Sequence, residues 1–359
     1  MLRSVPGTGL IDKYTRRDIA RLAGLAGLGT WLLPEAALAG VGQGGRTPAT
    51  VAVIPSWPTE LRRLAPDVYA YTQASGPGVD NASLSNAGMI AGPAGLLAVD
   101  TLGPPIHAKA FKAAAETATR KTFGRVINTH HHRDHTNGNC FFASAEIVSS
   151  DYTRQATIDD GIPAHPYDNR PEWQAGMNEL TLAPPTTTLR GGATYRYGGI
   201  TVEVIPNYPA HTFGDLMVYL PEYKILFAGD VAFYYVTPAG HNAHITKWIE
   251  AIDRIGRMDV DLIVPGHGPI GTKAELSQTR AYLELIAEET RKRYAMGMSP
   301  GRAAADLPLG RFTSWTNPER NAWNVVRLYA EFAGTLKPEQ DLVAQNAAVA
   351  EFTALRRAR

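Results

Sequence analysis

The sequence predicts an α/β chain of the α+β kind, a layered sandwich with helices outside two packed sheets and a helical extension at its C-terminus. Three observations predict it. Short apolar runs bounded by turn residues dominate from Val68 onward. Strands come first, a helix follows, and the series then repeats, as expected for two sheets each covered by helices. From Lys273 the texture turns helical.

With 359 residues, 44% hydrophobic and 19% charged, the chain is composed like a globular protein. That length suits one large domain with attachments or two modest ones. The net charge of +1 supplies no basic field for nucleic acid and no acidic solvating tail. A single cysteine, Cys140, excludes an intramolecular disulfide framework and a Cys-rich zinc site. A tightly bound metal must therefore be held by nitrogen and oxygen, from His, Asp and Glu.

Residues 1–39 read as an address. Thr15-Arg16-Arg17-Asp18-Ile19-Ala20-Arg21 opens a weakly apolar, Gly- and Ala-rich stretch that ends in Ala37-Leu38-Ala39. It resembles a twin-arginine export signal cleaved before Gly40, which implies a periplasmic or secreted protein. The competing reading is an N-terminal amphipathic or membrane-spanning helix. Pro34 and Glu35 leave that run short for a span of ~20 residues. No other run is long enough to cross a bilayer, so no membrane contact is expected once the signal is removed. Residues 40–65, rich in Gly, Pro and Thr, read as a linker or N-terminal arm.

The main domain is expected over 66–272. Val68–Thr72, Ala87–Ala91 and Gly95–Val99 read as consecutive strands, with Gly92-Pro93 turning between the last two. A helix is expected from Ile106 to about Arg120, then a short β-branched run, Arg125–Thr129, that stops at histidines. The second series places strands at Thr194–Tyr197, Thr201–Ile205, Leu216–Leu220 and Ile225–Phe227. A helix from about His244 to Ile255 and a buried strand at Leu262–Val264 complete it. Segment 150–173 carries Pro163, Pro166 and Pro171 and reads as an ordered lid rather than a helix. The loop from Pro238 to His244 falls where a second covering insertion is expected. The extension, 273–359, reads as helices through Glu275–Arg293 and Pro318–Phe332 that either cover the site or form a homodimer surface.

The decisive segment is His130-His131-His132-Arg133-Asp134-His135. Two histidines at i and i+2 in a loop can converge on one ion, and an Asp and a His at i+4 and i+5 can serve a second. Paired ions ~3.5–4 Å apart clamp the attacking and leaving oxygens of a hydrolysis. Further donors stand after strands: His211 in His211-Thr212-Phe213-Gly214-Asp215, Asp230 after Phe227-Ala228-Gly229, and His267 in Pro265-Gly266-His267-Gly268.

In type and order these residues resemble the metallo-β-lactamase superfamily: H-x-H-x-D-H, a lone His, a bridging Asp, a lone His, spanning about Val68 to Gly268. The resemblance implies an αββα four-layer sandwich with the site along one edge of its sheets. It implies two zinc ions, with iron or manganese as substitutes. His130, His132 and His211 would hold the first, Asp134, His135 and His267 the second, and Asp230 both. It implies hydrolysis of a small carbonyl-type molecule (lactone, thioester, ester or β-lactam) by a metal-bound hydroxide, with Asp134 as catalytic residue. Asp100 matches the family's early structural Asp.

True β-lactamases of the family lack the bridging Asp, so Asp230 leans toward the glyoxalase-II-like and lactonase-like branches. Tyr234 and Tyr235, close after Asp230, are candidates to bond a substrate carbonyl; packing within their loop is the plainer reading. His131 should point away from its neighbours. His107, His165, His241 and His244 read as surface or satisfied loop residues, and Cys140 as a small buried hydrophobe. Two alternatives remain. One is an iron-dependent oxidoreductase of the same fold, persulfide dioxygenase-like or flavo-diiron. The other is a non-catalytic periplasmic accessory protein that binds metal.

Overall fold

The computed structural model describes residues 53–77, 79, 84–163 and 170–358. The expected export signal, 1–39, residues 40–52 of the expected arm, and His165 and Pro166 lie outside the described residues.

Seven strands form the first sheet in sequence order: β1 (Glu60–Ala65), β2 (Val68–Thr72), β3 (Ala87–Gly92), β4 (Gly95–Val99), β5 (Phe123–Ile127), β6 (Glu146–Ser150) and β7 (Thr187–Leu189). β1 to β4 run antiparallel, and β4 to β7 are joined in parallel. The second sheet has five strands: β8 (Ala193–Tyr197), β9 (Ile200–Pro206), β10 (Leu216–Leu220), β11 (Ile225–Phe233) and β12 (Leu262–His267), with β11 and β12 parallel at one edge.

The alternation of side chains across a strand decides the layers. In β4, Leu97 and Val99 face the second sheet and join Ile90, Ile127, Val204, Val218, Phe227 and Val264 in the core between the sheets. Leu96 and Ala98 face the other way, toward Phe111 and Ala115 of helix α1 (Pro105–Thr119). Both faces of β3 and β4 are buried, so these strands read as continuous apolar runs.

Three further helices flank the sheets. α2 (Arg133–Thr136) is one turn that follows the histidine segment, and α3 (Asp151–Asp160) follows β6. α4 (Ile245–Arg257) buries Ile245, Trp248, Ala251, Ile252 and Ile255, a 3–4 spacing that turns one stripe onto the outer face of the second sheet. The chain closes with α5 (Lys273–Ala295), α6 (Pro300–Ala305), α7 (Arg320–Ala333) and α8 (Leu342–Arg357). Thr272 and Glu275 form a reciprocal capping box at the start of α5. These helices share one core with the second sheet through Tyr282, Leu283, Ile286, Val325 and Phe352, so 273–358 belongs to the same compact unit as the sandwich.

The structure revises several expectations. Residues 60–65 of the arm are strand β1, an edge whose charged Glu60, Arg62 and Arg63 hid it. The lid expected without a helix begins with one: the Ser150 hydroxyl caps α3 by accepting from Thr153 N. β6 and β7 carry little alternation and escaped the sequence reading. β11 runs on through Asp230 to Phe233, and β12 includes His267, so both ligands sit within strands rather than after them. Among the described residues no helix is long and apolar enough to cross a membrane.

Candidate metal centre

Two groups of donors meet at the edge where β5, β9, β11 and β12 end. One is His130, His132, His211 and Asp230; the other is Asp134, His135 and His267. These are the seven residues that the sequence picked out. Within each group the donor atoms lie within 4.8 Å of one another. Six of the seven are buried, and Asp134 alone keeps appreciable exposure, 18% of its side chain.

Backbone geometry aims them. Gly229, at φ +52°, makes an irregularity in the β11–β12 pairing one residue before Asp230. Gly266 approaches so closely that a Cβ would lie 1.8 Å from Asp230 Oδ1. The Asn86 amide donates to the carbonyls of Pro265 and Gly268, and Asn86 N–H donates to Gly266 O. Those three bonds tie the His267 turn to the chain entering β3.

Asp100, the expected structural Asp, sets two tautomers. It accepts from Thr129 N and Thr129 Oγ1 at 2.8 and 2.7 Å, and its Oδ2 faces His135 Nδ1 at 2.9 Å. The Nδ1 proton of His135 goes to that carboxylate, leaving Nε2 bare. Because the Thr129 hydroxyl hydrogen is spent on Asp100, Thr129 Oγ1 accepts from His130 Nδ1 at 3.0 Å. His130 Nε2 is thereby bare as well. The His132 Nδ1 atom lies 3.1 Å from that nitrogen and 2.9 Å from His211 Nε2.

Asp230 touches both groups. Its Oδ2 lies 3.2 Å from His211 Nε2 and 3.4 Å from His267 Nε2, and its Oδ1 lies 3.1 Å from His135 Nε2. His267 Nε2 is also 3.0 Å from Asp134 Oδ2. Burial alone would raise the Asp230 pKa, but His267, His135, His211 and His130 around it hold it well below the usual carboxylate range. Burial likewise opposes ionisation of Asp134, and His135 and His267 bring it down to about 2. Desolvation drives His130 and His132 well below their ordinary value, so both are neutral donors. At His135 burial would do the same, but Asp230, Asp134 and Asp100 outweigh it and raise the pKa well above normal. The pocket calls for positive charge at His135 Nε2.

A metal fits that demand. His135 Nε2 and Asp230 Oδ1 are buried and lack hydrogen-bond partners, yet they face each other at 3.1 Å. Unprotonated, two acceptors at that distance repel unless a cation lies between or beside them, and either a proton on His135 or a metal ion meets that demand. Neutral imidazoles and carboxylates form the nitrogen–oxygen donor set suited to zinc and to iron. The arrangement is compatible with a dinuclear site in which Asp230 serves both ions.

The other residues singled out by the sequence divide. His131 is buried, turns to within 3.9 Å of Asp160, and belongs to neither group. His107 is half-buried on α1, edge-on to Trp173 at 5.2 Å. His244 pairs with Glu331 at 3.4 Å. His241 departs from the surface or satisfied loop residue expected of it: its ring stacks on His132 at 4.2 Å, and its Nδ1 is buried without a partner. Cys140 is half-buried and donates to Asn137 O.

Tyr234 is buried, and its hydroxyl donates to Thr272 O at 3.2 Å. Tyr234 and Tyr235 line a cavity of about 320 Å³ with Glu275, Phe312 and Trp315, and no metal-ligand candidate lines it. The sequence reading did not single out Asn86, Thr129, Asn242, whose Oδ1 lies 3.1 Å from His132 Nε2, or Arg327, which donates to Asn242 O. The signal for Asn242 was its placement in the 238–244 insertion.

A buried cluster of seven nitrogen and oxygen donors at one edge of a two-sheet sandwich defines a metal-binding protein of the αββα class. The metallo-beta-lactamase superfamily model matches residues 80–267, more than half of the chain, and the chain belongs to that superfamily.

Among curated proteins it is similar to the linear primary-alkylsulfatase of a Pseudomonas species, at 24% identity over 262 residues, 62% of this chain and 49% of that protein. It is also similar to the 2,4-dinitroanisole O-demethylase subunit alpha of a Nocardioides species, at 28% identity over 189 residues, 50% of this chain and 51% of that one. The chain spans about half the length of these two relatives. Among solved structures, a stereoselective inverting sec-alkylsulfatase from Pseudomonas sp. superimposes with a TM-score of 0.57 at 17% identity, covering 77% of this chain and 50% of that one. A metallo-beta-lactamase from Pontibacter korlensis gives 0.51 at 22%, covering 63% and 98%. Both structural likenesses speak to the fold.

Proposed function

We propose that this chain is a dinuclear zinc hydrolase acting on a small carbonyl-type substrate: a lactone, thioester, ester or β-lactam. The observation that carries this reading is the pair of bare, buried acceptors, His135 Nε2 and Asp230 Oδ1, opposed at 3.1 Å between two groups of further donors. When bound, such an ion pair supplies Lewis acidity and activates water at neutral pH. The chain's own residues do the rest. Asp100 and Thr129 hold His130 and His135 in the tautomers that present Nε2. Asp134 is the candidate ligand most open to solvent, and so the carboxylate that an incoming substrate meets. There it orients the attacking water and passes a proton to the leaving group.

A second reading rests on the alkylsulfatase relative, which aligns over 62% of this chain. A sulfate ester presents anionic oxygens that suit the same cationic centre. In either case the proposed partner is a small molecule, and the resemblance of residues 1–39 to a twin-arginine signal supports a periplasmic or secreted protein.

Metal content by mass spectrometry, on protein purified without chelator, is the test. Two zinc per chain, with turnover in a panel of lactones, thioesters, esters, β-lactams and alkyl sulfates, is the expected result. Asp134→Asn is expected to lower turnover by about 10²–10⁴-fold while sparing metal at the His130 group. Iron, or a single ion, favours the oxidoreductase reading, and unimpaired turnover in Asp134→Asn removes the assigned role.

A further inference from the structure

In the first group Asp100 acts, through Thr129, on His130 alone, and the tautomer of His132 is set elsewhere. The outer nitrogen of His132, Nε2, lies 3.1 Å from Asn242 Oδ1. Which end of an amide faces a histidine is decided by its other partner. Asn242 Nδ2 faces the carbonyl of Pro338 at 3.2 Å, and a carbonyl can only accept. The amide nitrogen therefore belongs to Pro338 and the amide oxygen to His132. An oxygen at that position requires the His132 proton on Nε2, which leaves Nδ1 bare and facing His130 Nε2 and His211 Nε2.

Asn242 is buried, and what holds it comes from the far end of the chain. The Arg327 guanidinium, on α7, is buried and donates to four carbonyls. Two belong to the loop, Asn242 O at 3.3 Å and Ala243 O at 2.7 Å. The other two flank Pro338: Lys337 O at 2.7 Å and Glu339 O at 2.9 Å. One side chain thus joins the two segments that meet at the Asn242–Pro338 bond. Other loop carbonyls are also answered by C-terminal side chains: Thr237 O by Arg320, Pro238 O by Asn324 and His241 O by Gln345 of α8. Asn324 Oδ1 accepts in turn from Gly240 N, at a place where a Cβ would lie 2.3 Å from that oxygen. A buried loop must satisfy its backbone somewhere, and this one does so on α7 and α8.

We propose that Asn242 is a positioning residue of the metal centre, and that α7 and α8 complete that centre by fixing the Asn242 loop against His132. The proposal rests on the dinuclear reading above. It gives the C-terminal extension a task at the site. Outer partners of metal-bound histidines fix ring orientation, and their loss costs about 10–100-fold in metal affinity.

The test measures zinc affinity in the full chain by competition with a chromophoric chelator, for the wild type, Asn242→Leu and Asn242→Asp. Leucine is close in size and accepts no hydrogen bond. The aspartate keeps an acceptor for His132 while losing the donor to Pro338. The expected result is a 10–100-fold weaker first-group ion in Asn242→Leu, substantial recovery in Asn242→Asp, and little change in metal-free melting. Nitrogen NMR of the metal-free wild type should show His132 protonated on Nε2, and this readout stands even if Asn242→Leu does not fold. Equal affinity in wild type and Asn242→Leu, or a His132 protonated on Nδ1, overturns the proposal and leaves the dinuclear reading intact. A wild-type chain that binds no zinc overturns both.

Discussion

At the scale of single residues, hydrogen-bond bookkeeping says more than residue type. Ten histidines occur in the chain, and type alone does not separate ligands from the rest. Partners do: His130 and His135 spend one nitrogen on a fixed acceptor and aim the other, bare, into a shared space. His107 shows the opposite case. It lies half-buried against Trp173, with Nδ1 lacking a partner, and burial lowers its pKa from 6.5 to about 4. The folded state therefore keeps His107 neutral while the unfolded chain takes up a proton. The stability this contributes is whole above pH 6.5 and is lost as pH falls through that window toward about 4. Its size is on the order of 2 kcal/mol once partial exposure is allowed for. His107→Phe keeps the edge contact and cannot titrate. Melting temperatures between pH 7 and 4 should fall less steeply in the variant, by roughly 2–6 °C over the window. Parallel profiles for the two proteins would remove His107 from the account.

At the scale of elements, the site depends on where strands end and where they bend. Gly266 is the sharpest case, since a methyl group there meets both the carboxylate and the backbone nitrogen of Asp230. Gly266→Ala must displace the one carboxylate shared by both donor groups. Metal content is expected to fall from two ions to less than one per chain, with far-ultraviolet circular dichroism unchanged. A variant that retains both ions would show that the strand gives way more easily than the 1.8 Å contact allows. The clustered donors were legible in the sequence because four of them lie within six residues and the others stand beside glycines and strand ends. β2 and β4 were legible as short, nearly continuous apolar runs between turns, and α4 by its 3–4 apolar spacing. β7 was not: three half-buried residues carry no period. α3 was hidden by the prolines that follow it, although Ser150 signals its start. Nor does a sequence show the direction of the Tyr234 side chain, because the residue after a buried strand can turn to either side.

At the scale of the whole molecule, the donors divide between the sheets. His130, His132, Asp134 and His135 follow β5 of the first, while His211, Asp230 and His267 lie in or after strands of the second. Ions bound there would cross-link two layers otherwise joined by the apolar core of Val99, Ile127, Val204 and Phe227. The C-terminal helices bear on the same point through Arg327 and Asn242, so three parts of the chain distant in sequence converge on one centre. Metal removal should then register as a loss of global stability as well as of activity. A ligand present at 1,000 times its dissociation constant stabilises the folded state by about 4 kcal/mol. For a chain of this size that corresponds to roughly 5 °C in melting temperature. Exhaustive chelation is expected to lower the melting temperature by that amount while leaving a single cooperative transition, because the inter-sheet core remains. Zinc added back should restore the value. Melting unchanged after verified metal loss would mean that the two sheets are held in register by their core alone, with the ions serving chemistry and nothing else.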